Sequence, residues 1–94
     1  MVLIFGGLIF ILKFKFQNQN GSVAEKLQTG KFKQNFYRKY FKNYKIYYIY
    51  ILSPWFKNNC IYELQYLEEE KIAYYFSNEK WVLKLIAFIK KKSI

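Results

Sequence analysis

Ten tyrosines, ten phenylalanines and two tryptophans stand in a chain of 94 residues. That aromatic load constrains the fold more than any other feature. Each buried ring hides roughly 150–250 Å², and a chain this short buries only part of its surface. The rings are therefore expected to overfill an internal core, and many should face a partner protein, a nucleic acid or a bilayer. Covalent staples are scarce. Cys60 is the single cysteine, so no internal disulfide or cysteine cage can form, and there is no histidine. Aspartate is also missing, so all six acidic residues are glutamates. Gly-rich phosphate loops, nucleophile triads and paired metal spacings are absent from the sequence. Adjacent carboxylates such as Glu68, Glu69 and Glu70 would diverge on a helix. The expectation is a non-enzymatic protein with no cofactor, no metal and no small-molecule substrate, completed by neighbouring subunits.

Sixteen Lys and Arg against six acidic residues give a formal charge of +10. Such a field favours anionic partners, either RNA phosphates or acidic lipid headgroups. Only Arg38 is an arginine, whereas phosphate grips built for bidentate contacts favour Arg. Phe, Tyr, Ile, Lys and Asn together make 53 of the 94 residues. That skew is the mark of an AT-rich genome such as an organelle's, and it accounts for part of the charge. The chain opens at Met1 without an Arg-rich amphipathic leader, which agrees with synthesis inside an organelle.

Residues 1–16 open with twelve apolar or Gly residues, then alternate Lys13 and Lys15 with Phe14 and Phe16. As a helix this is ~24 Å long, an apolar anchor against a membrane or another subunit. The period-2 tail allows a buried strand instead, with Gly6-Gly7 arguing against it. QNQNG (17–21) reads as a turn, Ser22 to Glu25 as a capping box, and 22–29 as a short helix stopped by Gly30. Over 31–52, Phe32, Phe36, Tyr37, Tyr40, Phe41 and Tyr44 recur at helical spacing, with Lys and Arg between them. The expectation is a basic-aromatic helix, although a strand for 46–52 suits its Ile and Tyr content. Ser53-Pro54 ends it. Residues 61–92 read as a C-terminal helical pair, the second helix capped by Ser77 with a stripe of Trp81, Val82, Leu85, Ile86 and Ile89. The whole is a single small domain, 1–94, of mostly α class.

Two sets of contact residues follow. Leu3, Ile4, Phe5, Leu8, Phe10, Ile49, Ile51 and Trp55 are expected to meet membrane or partner. Lys31, Lys33, Arg38, Lys39, Lys42 and Lys45 are expected to meet headgroups or phosphates. The 31–45 segment fits an RNA surface, with rings stacking on splayed bases, and a membrane surface, with rings sunk below the headgroups. It also fits plain packing against neighbouring helices.

In texture, MVLIFGGLIFIL and YKIYYIYIL resemble the small respiratory-chain proteins encoded in ciliate mitochondrial genomes. The resemblance implies an accessory, non-catalytic subunit of an inner-membrane respiratory complex, NADH dehydrogenase (complex I) foremost, held by other subunits and membrane lipid. The alternative is a mitochondrial ribosomal protein that binds rRNA through 31–45.

Overall fold

The computed structural model describes residues 1–16 and 27–93. The anticipated 17–21 turn and the 22–25 capping box lie outside them. The architecture is α/β, not mostly α: a four-stranded mixed sheet in sequence order, with helices on both faces. Strands β1 (Val2–Phe5) and β2 (Leu8–Lys15) form an antiparallel hairpin. Helix α1 (Gly30–Tyr40), entered through a 3-10 turn at Leu27–Thr29, leads to β3 (Lys45–Leu52), which pairs parallel with β2. Helices α2 (Trp55–Asn59) and α3 (Ile61–Glu69) lead to β4 (Ala73–Phe76), parallel to β3, and α4 (Trp81–Lys92) follows.

Each departure from the expected helices has a local cause. Gly6-Gly7 does not interrupt an apolar anchor; it is the two-residue turn of the hairpin, with Gly6 at φ +55°. Positive φ at the first central position suits the twist of paired strands. Residues 1–16 therefore satisfy their backbone groups sideways, and no helix among the described residues is long and apolar enough to cross a membrane. Gly30 is not a helix stop but the first residue of α1. A Cβ there would sit 3.0 Å from the Tyr50 ring, so only glycine lets α1 lie this close to the sheet. The basic-aromatic helix ends at Tyr40, because the Ile/Tyr run that follows is more favourable as the central strand.

The C-terminal pair is likewise split. Helix α3 closes with the Ile72 N–H donating to the Leu67 carbonyl and the Lys71 N–H to that of Glu68. That is a Schellman closure, with Lys71 in the left-handed position (φ +58°) usually taken by Gly. Ile72 and Leu67, its hydrophobic pair, are both buried. AYYF then forms β4. Ser77 does not cap α4: its N–H extends the sheet to the Leu52 carbonyl, and Lys80 precedes the helix in a left-handed conformation. Trp81, Leu85, Phe88 and Ile89 pack inward on α4, whereas Val82 and Ile86 face outward.

Period-2 alternation distributes β3 between two cores. Tyr48, Tyr50 and Leu52 join Leu27, Phe56, Cys60, Leu64 and Leu67 beneath α1, α2 and α3. Ile49 and Ile51 join Phe10, Leu12 and Leu85 beneath α4. Burying each such side chain contributes ~1.5–3 kcal/mol. The Tyr50 hydroxyl, fully enclosed, finds the Thr29 side chain, and burial drives its pKa well up. Burial, with the Glu63 charge second, likewise raises the Cys60 thiol, which stays protonated near neutrality.

Candidate nucleic-acid interface

The sheet has a step. β4 begins opposite Ile49, so residues 45–48 of β3 have no strand on that side. Their outward backbone groups would be orphaned in a buried place. Helix α1 supplies the partners from two residues one turn apart. The Tyr48 N–H donates to Gln34 Oε1 at 3.0 Å, and Arg38 Nε donates to the Ile46 carbonyl at 3.1 Å. Gln34, only 4% exposed, is thus a side-chain substitute for the missing strand.

This requirement sets which side of the helix meets the sheet. The sequence marks an aromatic face backed by a basic one, and the flank of α1 turned to the sheet carries Gly30, Gln34 and Tyr37, whose ring stacks at 6.4 Å on Tyr48. Phe32, Phe36 and Tyr40 are left outside at 72%, 52% and 74% exposure. They stand at i, i+4 and i+8, one ridge along the helix, with Phe36 and Tyr40 stacked at 6.3 Å. Phe32, Asn35, Phe36 and Lys39 line a groove of about 540 Å³ on it.

Beside the step lies a cleft of about 430 Å³. Lys31 and Arg38 of α1, Lys71 from the α3 closure and Lys92 of α4 line it, together with Gln34, Tyr47, Glu70, Ile72, Ala73 and Phe88. Lys92 Nζ lies 5.4 Å from the Tyr47 ring centre and 5.5 Å from that of Phe88, a cation–π arrangement. Those two rings meet edge to face at 5.6 Å. Lys92 also borders a hollow of about 830 Å³ at the hairpin turn, where Lys42 and Lys45 stand with Asn43, Tyr44 and Gly6-Gly7. Among the described residues, none of these six cations has a carboxylate within ion-pair distance; the ion pairs there are Lys57–Glu79 and Lys84–Glu79.

Of the basic residues expected to meet an anion, Lys31 and Arg38 line the cleft, Lys42 and Lys45 the hollow, and Lys39 the aromatic groove. Lys33, half-buried on α1, lines none of the three. Lys71, Tyr47 and Phe88 are not singled out by the sequence, whereas Lys90-Lys91-Lys92 suits both a helix dipole and an anionic surface. A residue with a side chain directly after a helix of three final glutamates, where Gly is expected, is the one available signal. The expected membrane or partner contacts divide. Phe10, Ile49 and Ile51 are core residues with no exposed surface, because the strand pleat turns them under α4. Leu3, Leu8 and Trp55 are half-buried against the cores. Ile4 and Phe5 stay exposed on the hairpin.

No protein-family model matches the sequence, and no curated protein or solved structure is significantly similar to the chain.

Proposed function

We propose that this is a non-catalytic RNA-binding protein that holds unpaired RNA across α1 and the stepped end of the sheet. The observation that carries the reading is the convergence of six cations without an ion pair among the described residues, from α1, the turn after it, the start of β3, the end of α3 and α4, on two adjoining hollows beside an exposed aromatic ridge. Dipole compensation at the ends of α1 and α4 explains some of those lysines. It does not explain Lys31 or Lys45, which lie away from the helix C-termini. Phosphates are held by the cations, and bases stack on Phe32, Phe36 and Tyr40, which present faces any base can use. Anisotropy of a labelled single-stranded RNA, titrated across salt, tests this. Binding should weaken steeply with salt, favour the single strand over a duplex of equal length, and fall on replacing the three ridge aromatics with alanine. Absence of binding at low salt overturns the reading.

A second reading has its own observation. Met1, Val2, Ile4 and Phe5 form an exposed apolar rim on the hairpin, which suits an accessory subunit seated on a neighbour in a large assembly, including a mitochondrial inner-membrane respiratory complex. Native electrophoresis of detergent-solubilised organelles separates the two. Comigration with respiratory complexes untouched by ribonuclease favours the subunit, and migration that collapses with ribonuclease favours RNA.

A further inference from the structure

We propose that the cleft at the sheet step is a pocket for a phosphomonoester on a nucleoside, either the 5′-terminal nucleotide of an RNA or a free nucleoside monophosphate. The proposal deepens the RNA reading and rests on it only for the polymer as the source of the ligand.

Charge is the first argument. Four cations from three separate elements line the cleft with Glu70 as the one carboxylate among the lining residues. A monoester carries about −1.5 to −2 at neutral pH, twice the charge of a backbone diester, and suits that surplus better. Shape is the second. The cleft lies where β4 starts late, and Ile72, Ala73 and Gln34 are among its lining. At about 430 Å³ it has the size of a small-ligand site, large enough for one nucleotide. The wall is the third. Tyr47 and Phe88 are half-buried rings whose exposed side is covered by the mobile-stemmed Lys92. When Lys92 turns to the phosphate, those rings are free to take the base.

Lys71 supplies the fourth argument, by position. Its left-handed backbone, a conformation that Lys80 shares away from the cleft, completes the Schellman closure of α3 and holds the residue in the cleft lining.

The experiment compares one short labelled RNA with a 5′-phosphate and with a 5′-hydroxyl on the full chain, with uridine monophosphate, uridine and inorganic phosphate as competitors. The phosphorylated RNA should bind roughly tenfold more tightly, the effect of one good charge-assisted contact set. Lys71→Gly should erase that preference to within about twofold while raising the melting temperature. Lys92→Ala, on an exposed side chain, should erase it without harming the fold, and Lys84→Ala at the other end of the sheet should leave it intact. Equal, tight binding of both RNAs overturns the pocket and leaves the RNA reading standing. Binding of the free nucleotide with neither RNA overturns the RNA reading and makes a free nucleotide the ligand. Competition by inorganic phosphate as strong as by the nucleotide overturns the role of the aromatic wall. Binding of nothing overturns both proposals.

Discussion

The two ends of the sheet handle charge in opposite ways. Where β3 and β4 finish, Glu79 accepts a 2.9 Å hydrogen bond from Lys57 and lies 3.7 Å from Lys84, and Lys57 also sits over the Phe76 ring. Both lysines of that trio pair with the one carboxylate. Where β3 begins, Lys31, Arg38, Lys42, Lys45, Lys71 and Lys92 gather with no carboxylate of the described residues close enough to pair. Like charges brought together without compensation cost free energy in the isolated protein. A fold that tolerates this at one end and avoids it at the other has the composition of a surface waiting for an anion. Net charge by itself could not distinguish the two, since +10 is a property of the whole chain.

The sharpest way to break the contrast is to reverse charge at each end in turn. Lys31→Glu with Lys92→Glu should lower RNA affinity by roughly 100-fold, whereas Lys57→Glu should change it less than about threefold. Equal losses would reduce the site to a diffuse field. Next in size, Gln34→Ala strands the Tyr48 N–H at the step and should destabilise the fold by ~1–3 kcal/mol in urea titrations. Its effect on affinity should then track the loss of folded protein. Gly30→Ala sets a gain of ~1 kcal/mol in helix propensity against a ring 3.0 Å from the new methyl. Overpacking of ~1–3 kcal/mol should win, leaving a smaller net loss of stability.

The smallest effect belongs to the closed end. The Lys57 hydrogen bond, then the two lysine charges, hold the Glu79 carboxyl below its ordinary 4.5. A depressed folded pKa means the stabilisation is present above 4.5 and is lost as pH falls through the lower, folded value. Glu79 is half-exposed and its ion pairs are screened by solvent, so Glu79→Gln should flatten the acid limb of a melting-temperature profile slightly.

How much of this was legible in the sequence differs between elements. Binary pattern marked breaks at Ser53-Pro54 and near Ser77 but none between β1 and β2 or between α3 and β4, and the alternation of Leu12 and Phe14 carried the strand alternative for the N-terminal segment. Pairing was not legible. Ile46 to Leu52 suits a strand or a buried helix equally, and only β2 and β4 on either side decide it. The orientation of α1 was not legible either. Either face of the helix could be turned outward, and here the core offers an unsatisfied backbone edge that Gln34 and Arg38 answer. The basic residues of 31–45 could be named from composition. Their distribution between a cleft, a hollow and a groove, and the arrival of Lys71 and Lys92 beside them, depend on contacts distant in sequence.

The register of the central pair also governs how the chain reaches this state. Leu8 lies beside Lys45 and Lys15 beside Leu52, so every rung between β2 and β3 joins residues far apart in the chain. The β1–β2 hairpin closes locally, in about 1–10 μs for such turns. It must then wait, one apolar edge bare, until α1 has been made and β3 arrives. Non-local pairing of this kind slows folding, and the interval is spent with an open strand edge that another hairpin could occupy. Newly made chains should therefore be most vulnerable to self-association between the completion of Lys15 and that of Leu52. A ligand that gathers α1 and β3 early would shorten that window.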